Sequence, residues 1–228
     1  MFVGKVFYIN RIKNYQMKKI FLLSLAFIMS FSVFALETFK EGKLTMNQTI
    51  TTNNEEMKGM IDQMFGGEPM QIVMYIKGNK SRSEVSNAMS GDVVSISDSE
   101  SMQTLMLMDN PMIGKKYSKT ALSEADEKEL EENVTITEGE GTKTILGYEC
   151  KEQIIKVVQE GVEMEMTMYV TDKILPVMTQ QTSMLGNKLN GFPMYMVMNM
   201  NQQGMDMIMT FEVVEMNKES VPDSKFDM

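Results

Sequence analysis

The sequence contains no histidine, no tryptophan and only one cysteine, Cys150. Without histidine there is no Ser-His-Asp or Cys-His machinery, no helical metalloprotease motif and little means of holding zinc. A lone cysteine excludes an intrachain disulfide and any thiolate cluster. Its segment, Gly147-Tyr148-Glu149-Cys150-Lys151, offers one weak cation, so Cys150 reads as a small buried apolar residue rather than a nucleophile. No carboxylates fall at the spacing of a calcium loop, and none forms a catalytic pair. The expectation is a protein that is not an enzyme and carries no cofactor. Proline is scarce too, five in 228 residues, while 43 % of the chain is apolar, which favours a packed core over disorder.

Positive charge is the next shortage, with 22 Lys and Arg against 31 Asp and Glu. Five of the 22 (Lys5, Arg11, Lys13, Lys18 and Lys19) fall within residues 1–35, which hold no acid. The apolar run Ile20–Phe34 follows, shorter than the ~20 residues a membrane-spanning helix needs. A basic start, an apolar middle and the small residues Val33 and Ala35 predict a secretory signal peptide cleaved after Ala35. Met17 suits the natural start, which makes residues 1–16 an upstream extension. The expected location is the periplasm of a Gram-negative bacterium, with no stable membrane insertion once the signal is removed. The remaining 193 residues then carry 17 basic and 31 acidic groups, a net −14. Such a surface repels nucleic acid and anionic head groups. No protein partner is identifiable.

Residues 36–228 read as a single, mainly β domain. Strand candidates with period-two alternation are Lys43–Thr52, Ile72–Lys77, Lys80–Ser86, Val93–Ser97, Met102–Asp109 and Lys115–Lys119. Later candidates are Lys143–Leu146, Cys150–Gln159, Val162–Asp172, Met178–Leu185, Phe192–Asn201 and Met205–Met216. Gly78-Asn79 signals a two-residue hairpin. Many short, locally joined strands predict a broad antiparallel sheet, curled toward a barrel. Two helices are expected. One follows the cap Asn54 and ends at Gly66-Gly67, with Met57, Met60, Ile61 and Met64 forming one apolar stripe. The other spans Glu124–Glu132 behind Ser123 and is charged nearly all round, a solvated spacer.

What the chain has in abundance is methionine, 28 in all and 25 beyond residue 35. Met164, Met166 and Met168 alternate with Glu163, Glu165 and Thr167; Phe192, Met194, Met196, Met198 and Met200 form a second row, and Met205, Met207, Met209, Phe211 and Val213 a third, opposite Asp206, Thr210 and Glu212. Met102, Met106 and Met108 form a less regular row. Side chains two apart share a sheet face, so each row should be coplanar, and the rows should adjoin. The Asn54–Phe65 helix has a matching stripe to lie over them. Three readings stay open at this point. The rows are a packed core; or they line an apolar groove built from Met57, Met60, Ile61, Met64, Met106, Met108, Met166, Met168, Met196, Met198, Met207 and Met209. Met is adaptable and suits guests of varied shape. The third reading is a soft-metal site for Cu(I) or Ag(I) at Met196, Met198, Met207 and Met209, since thioether is a soft ligand.

Several segments also carry a resemblance. Tyr75-Ile76-Lys77-Gly78-Asn79-Lys80-Ser81-Arg82 with Glu84, Gly147–Lys151, Val170–Pro176, Asn190–Pro193 and Val221–Phe226 are similar to an exported bacterial family of unknown function. That family looks related to the periplasmic lipoprotein carriers LolA and LolB. The resemblance implies a strongly curved antiparallel sheet, an incomplete β-barrel closed by one or two helices over an apolar cavity. It further implies acyl chains of a lipid or lipoprotein as partners. No catalytic residues come with it.

Overall fold

In the computed structural model the described residues are 38–87, 91–159, 162–179, 181–185, 188–202 and 205–228. The signal-peptide segment, 1–35, lies outside them. Eleven strands form one antiparallel sheet: β1 (Glu41–Thr52), β2 (Met70–Lys77), β3 (Lys80–Asn87), β4 (Gly91–Asp98), β5 (Gln103–Asn110), β6 (Gly114–Ala121), β7 (Val134–Ile145), β8 (Tyr148–Gln159), β9 (Val162–Thr171), β10 (Phe192–Gln202) and β11 (Met205–Asn217). Helix α1 (Glu55–Phe65) follows β1, and α2 (Glu124–Asn133) joins β6 to β7.

Local chemistry accounts for most boundaries. Gly78 takes the left-handed φ of 60° that the β2–β3 turn requires. The Asn54 side chain accepts a hydrogen bond from Met57 N at 3.1 Å, and Gly66 ends α1 in the left-handed conformation. At α2, Ser123 Oγ accepts from Asp126 N while the Asp126 carboxylate accepts from Ser123 N, a reciprocal cap.

The strand order is β6-β5-β4-β3-β2-β1-β11-β10-β9-β8-β7, an open sheet not closed into a barrel. Its first and last strands pair at the centre, and its two edges, β6 and β7, are consecutive in the chain. A flat sheet of this width would hold β6 and β7 about 48 Å apart, ten spacings of about 4.8 Å. The connection through α2 reaches no more than about 28 Å, at about 1.5 Å per helical residue and roughly 3.5 Å per extended one. The sheet therefore curls, and α2 ties its two margins together.

The two faces have different covers. Leu44, Met46, Ile72, Met74, Ile76, Ile155, Val157, Met166, Met168, Met194, Met196, Phe211 and Val213 bury the inner face. They pack against Ile174, Val177, Leu185 and Leu189, which belong to the long crossover between β9 and β10. The crossover pairs with Phe39 at Ile174 and is pinned at Met178, whose carbonyl accepts from Ser81 Oγ and whose amide donates to Ser99 Oγ. Farther on, Lys188 Nζ donates to Val134 O at the start of β7. On the opposite face, Ile96 and Leu105, with Tyr75 and Val94, pack under Val221 and Phe226 of the C-terminal strap.

Two sequence expectations need correction. Met178–Leu185 is not a strand: Thr179 and Thr182 exchange amide-to-hydroxyl hydrogen bonds and lead into a 3₁₀ turn at Ser183–Leu185. Hydroxyl-to-backbone bonds of this local kind compete with strand pairing. Conversely, β7 begins at Val134, nine residues before the expected start, because a register shift between Glu138 and Thr142 accommodates Gly139-Glu140-Gly141. Those residues disguise the alternation.

Candidate functional site: the methionine-lined inner face

Register decides which thioethers meet. Met196 on β10 faces Met168 on β9 and Phe211 on β11. One step outward, Met198 faces Met166 on one side and Met209 on the other. A further step brings Met200 opposite Met207. Directly opposed side chains lie about 4.5–5.5 Å apart at Cβ, so these are contacts between neighbouring strands. The rows expected from period two thus share one face and adjoin. The grouping of Met196 with Met207 is loosened: Met196 meets Phe211, while the partner of Met207 is Met200.

Exposure is graded along the rows. Met166, Met168, Met194 and Met196 are no more than 1 % exposed. Met164, Met198, Met200, Met207 and Met209 are half-buried. The crossover residues Ile174, Val177, Leu185 and Leu189 seal the inner part, and the sheet emerges beyond them at the Met198–Met209 end. There Gln48 Nε2 donates to Met209 Sδ at 3.2 Å.

The remaining expected residues sit elsewhere. Met106 and Met108 share the inner face but lie on β5, where they oppose Ser95 and Val93 of β4. Four strands (β4, β3, β2 and β1) separate them from β11, so they do not join the cluster. Next to them, on β4 and β3, the wall is hydroxylic: Ser81, Ser83, Ser95 and Ser97 are all buried, and Ser95 Oγ has no partner. Helix α1 does not cover the rows. It packs on β1, with Met60 54 % exposed and Met57 and Ile61 half-buried; the Met64 side chain lies outside the described residues. An amphipathic stripe shows that a helix has an apolar side, but not which surface receives it. Here Ile61 instead helps line a cleft of about 260 Å³ between α1 and the outer ends of β1 and β2, with Ile50, Pro69 and Met70. Ile50 itself faces Met209, so this cleft adjoins the half-buried thioethers.

Sequence reasoning missed the crossover as cover. Its only signal was the apolar spacing of Ile174, Val177, Leu185 and Leu189, of which the strand expected at Met178–Leu185 absorbed Leu185.

The chemistry of the face is apolar and soft. Among the described residues, no group of three or more Cys, Asp or Glu side chains could hold a metal ion. Cys150 is buried, and that burial pushes its thiol up to about 11. Its S–H points to Tyr148 O at 3.5 Å, so it is no nucleophile at neutral pH. On the other side of the sheet, Lys143 Nζ lies 3.7 Å from the Tyr195 ring centre and 4.6 Å from that of Tyr169. The Tyr169 hydroxyl donates to Glu152, which raises the phenol above its ordinary pKa. No helix among the described residues is long and apolar enough to cross a membrane.

A family model described as a domain of unknown function (DUF4412) matches residues 39–228, and the chain belongs to that family. No curated protein matches it. Among solved structures it is similar to the Mycobacterium tuberculosis lipoprotein LppX, at 8 % identity and a TM-score of 0.32, over 77 % of this chain and 87 % of that one.

Proposed function

We propose that this member of the family is an exported, non-enzymatic binding protein that takes an apolar guest, the acyl chain of a lipid or lipoprotein, against its methionine-lined inner face. The observation that carries the reading is the exposure gradient: one continuous thioether wall runs from sealed at Met168–Met196 to half-open at Met200–Met207. A core that served only packing would close at that end. An acyl chain extended along the wall gains about 25 cal/mol per Å² of apolar area removed from water, less the cost of ordering it. Flexible thioethers conform to chains of varied length and unsaturation. Entry at the half-open end leads inward beneath the crossover, whose displacement would lengthen the groove. Ile50 and the cleft beside α1 extend the apolar rim outward.

Protein purified from the periplasm without detergent, analysed by native mass spectrometry, should carry endogenous acyl species. It should also bind a fluorescent fatty acid. Replacing both Met200 and Met207 with Glu should weaken that binding at least tenfold while the fold is retained. An empty protein that ignores the probe overturns the reading.

A further inference from the structure

We propose that Met166, Met198 and Met209 form a binding site for one soft monovalent cation of the Cu(I) or Ag(I) type. These three thioethers sit in a single row across three adjacent strands, each directly opposed to the next. The outer two are two strand spacings apart, about 9.6 Å. Each sulfur is two bonds beyond its Cβ, and the row lies on the concave side of a curled sheet, where side-chain ends crowd together. Flexible arms from β9 and β11 can thus reach toward the central Met198. The Gln48 amide donates to Met209 Sδ at 3.2 Å, which orients that sulfur and leaves its second lone pair for a ligand. Met166 is sealed, whereas Met198 and Met209 are half-buried, so an ion enters from the open side and ends in a largely dry position.

Ligand chemistry selects the ion. The row offers neutral, polarizable sulfur and no oxygen or imidazole, a donor set that discriminates against calcium, magnesium and zinc. The overall charge of −9 draws cations of any kind toward the molecule, and the thioethers choose among them. Thioether needs no deprotonation to bind. Affinity should therefore stay flat from pH 5 to 8, unlike that of a thiolate or carboxylate site, which releases protons on binding.

The test is titration with Ag(I) alone, followed by methyl NMR of ¹³C-labelled methionine, and then Cu(I) under anaerobic conditions against a chelator. One equivalent of Ag(I) should shift the Met166, Met198 and Met209 methyls together. The M198L/M209L variant should lose at least tenfold in affinity, while Cys150→Ser changes nothing. The acyl-guest reading is checked separately, with the fluorescent fatty acid on the unsubstituted protein, so that its failure is distinguishable from failure of the Ag(I) titration. Shifts confined to other methionines, such as the exposed Met112, a pH-dependent affinity, or unchanged binding in M198L/M209L each overturn the proposal.

Discussion

Ser81 donates its hydroxyl hydrogen to the carbonyl of Met178 over 2.5 Å, fastening the crossover to β3 from inside the curled sheet. Both groups are buried. Ser81→Ala leaves that carbonyl unpaired and should cost about 1–3 kcal/mol, read from the urea midpoint. The amides of the crossover should exchange faster with solvent than in the native protein. If they exchange at the native rate, the bond does not hold the crossover down.

Met168 is wholly buried among Met196, Gln153 and the core. Met168→Leu conserves volume and should change stability by less than ~1.5 kcal/mol. Met168→Ala opens a cavity and should cost about 2–5 kcal/mol. Chemical denaturation of the two variants checks the contrast; equal losses would mean that the sulfur itself, not the space it fills, matters at this position.

The C-terminal strap should respond to acid. Partial burial would raise the Glu84 carboxyl, but hydrogen bonds from Arg82 and Lys225 outweigh it and hold the group below its ordinary 4.5. A lowered folded value contributes stability above the unfolded pKa and loses it as pH falls through the folded one. The strap should thus loosen only below about pH 4.5. Glu84→Gln should flatten that acid limb in a pH series of thermal melts, with a modest amplitude because the pair is partly exposed.

Phe226 anchors the same strap against the cluster of Ile96 and Leu105. Around it, Lys77 donates to Val221 O, Arg82 donates to Lys225 O, and Lys225 Nζ lies 4.1 Å from the Tyr75 ring centre. Phe226→Ala should cost about 3 kcal/mol and open the tail beyond Asn217 to carboxypeptidase. Native resistance in that variant would place the anchor in the polar contacts instead.

Much of this architecture was legible because its local rules are strict. The Gly78-Asn79 turn, the Asn54 and Ser123 caps and the period-two methionines each fix geometry within a few residues. What could not be read depends on distant partners. The α1 stripe of Met57, Met60 and Ile61 named an apolar side without naming its neighbour. Part of the crossover, Met178–Leu185, read as a strand, yet Ile174, Val177, Leu185 and Leu189 pack against a wall contributed chiefly by β1, β2, β8, β9, β10 and β11. Which thioethers oppose one another follows from interstrand register, and no single strand encodes that. Val221 and Phe226 gave no periodic signal, since the strap holds by two side chains and a set of long-range hydrogen bonds.

The seam between β1 and β11 has a kinetic consequence. Thr45 and Glu215, paired across it, are 170 positions apart, so the middle ladder of the sheet joins the opening and closing strands of the sequence. A chain emerging from amino to carboxyl end can zip β1 through β6 and then β7 through β10, but the two halves stay unjoined until β11 arrives. During that interval the unpaired edges of β1 and β10, the latter carrying four methionines, face water. Refolding should accordingly be slow, and most vulnerable to self-association just before its final strand is delivered.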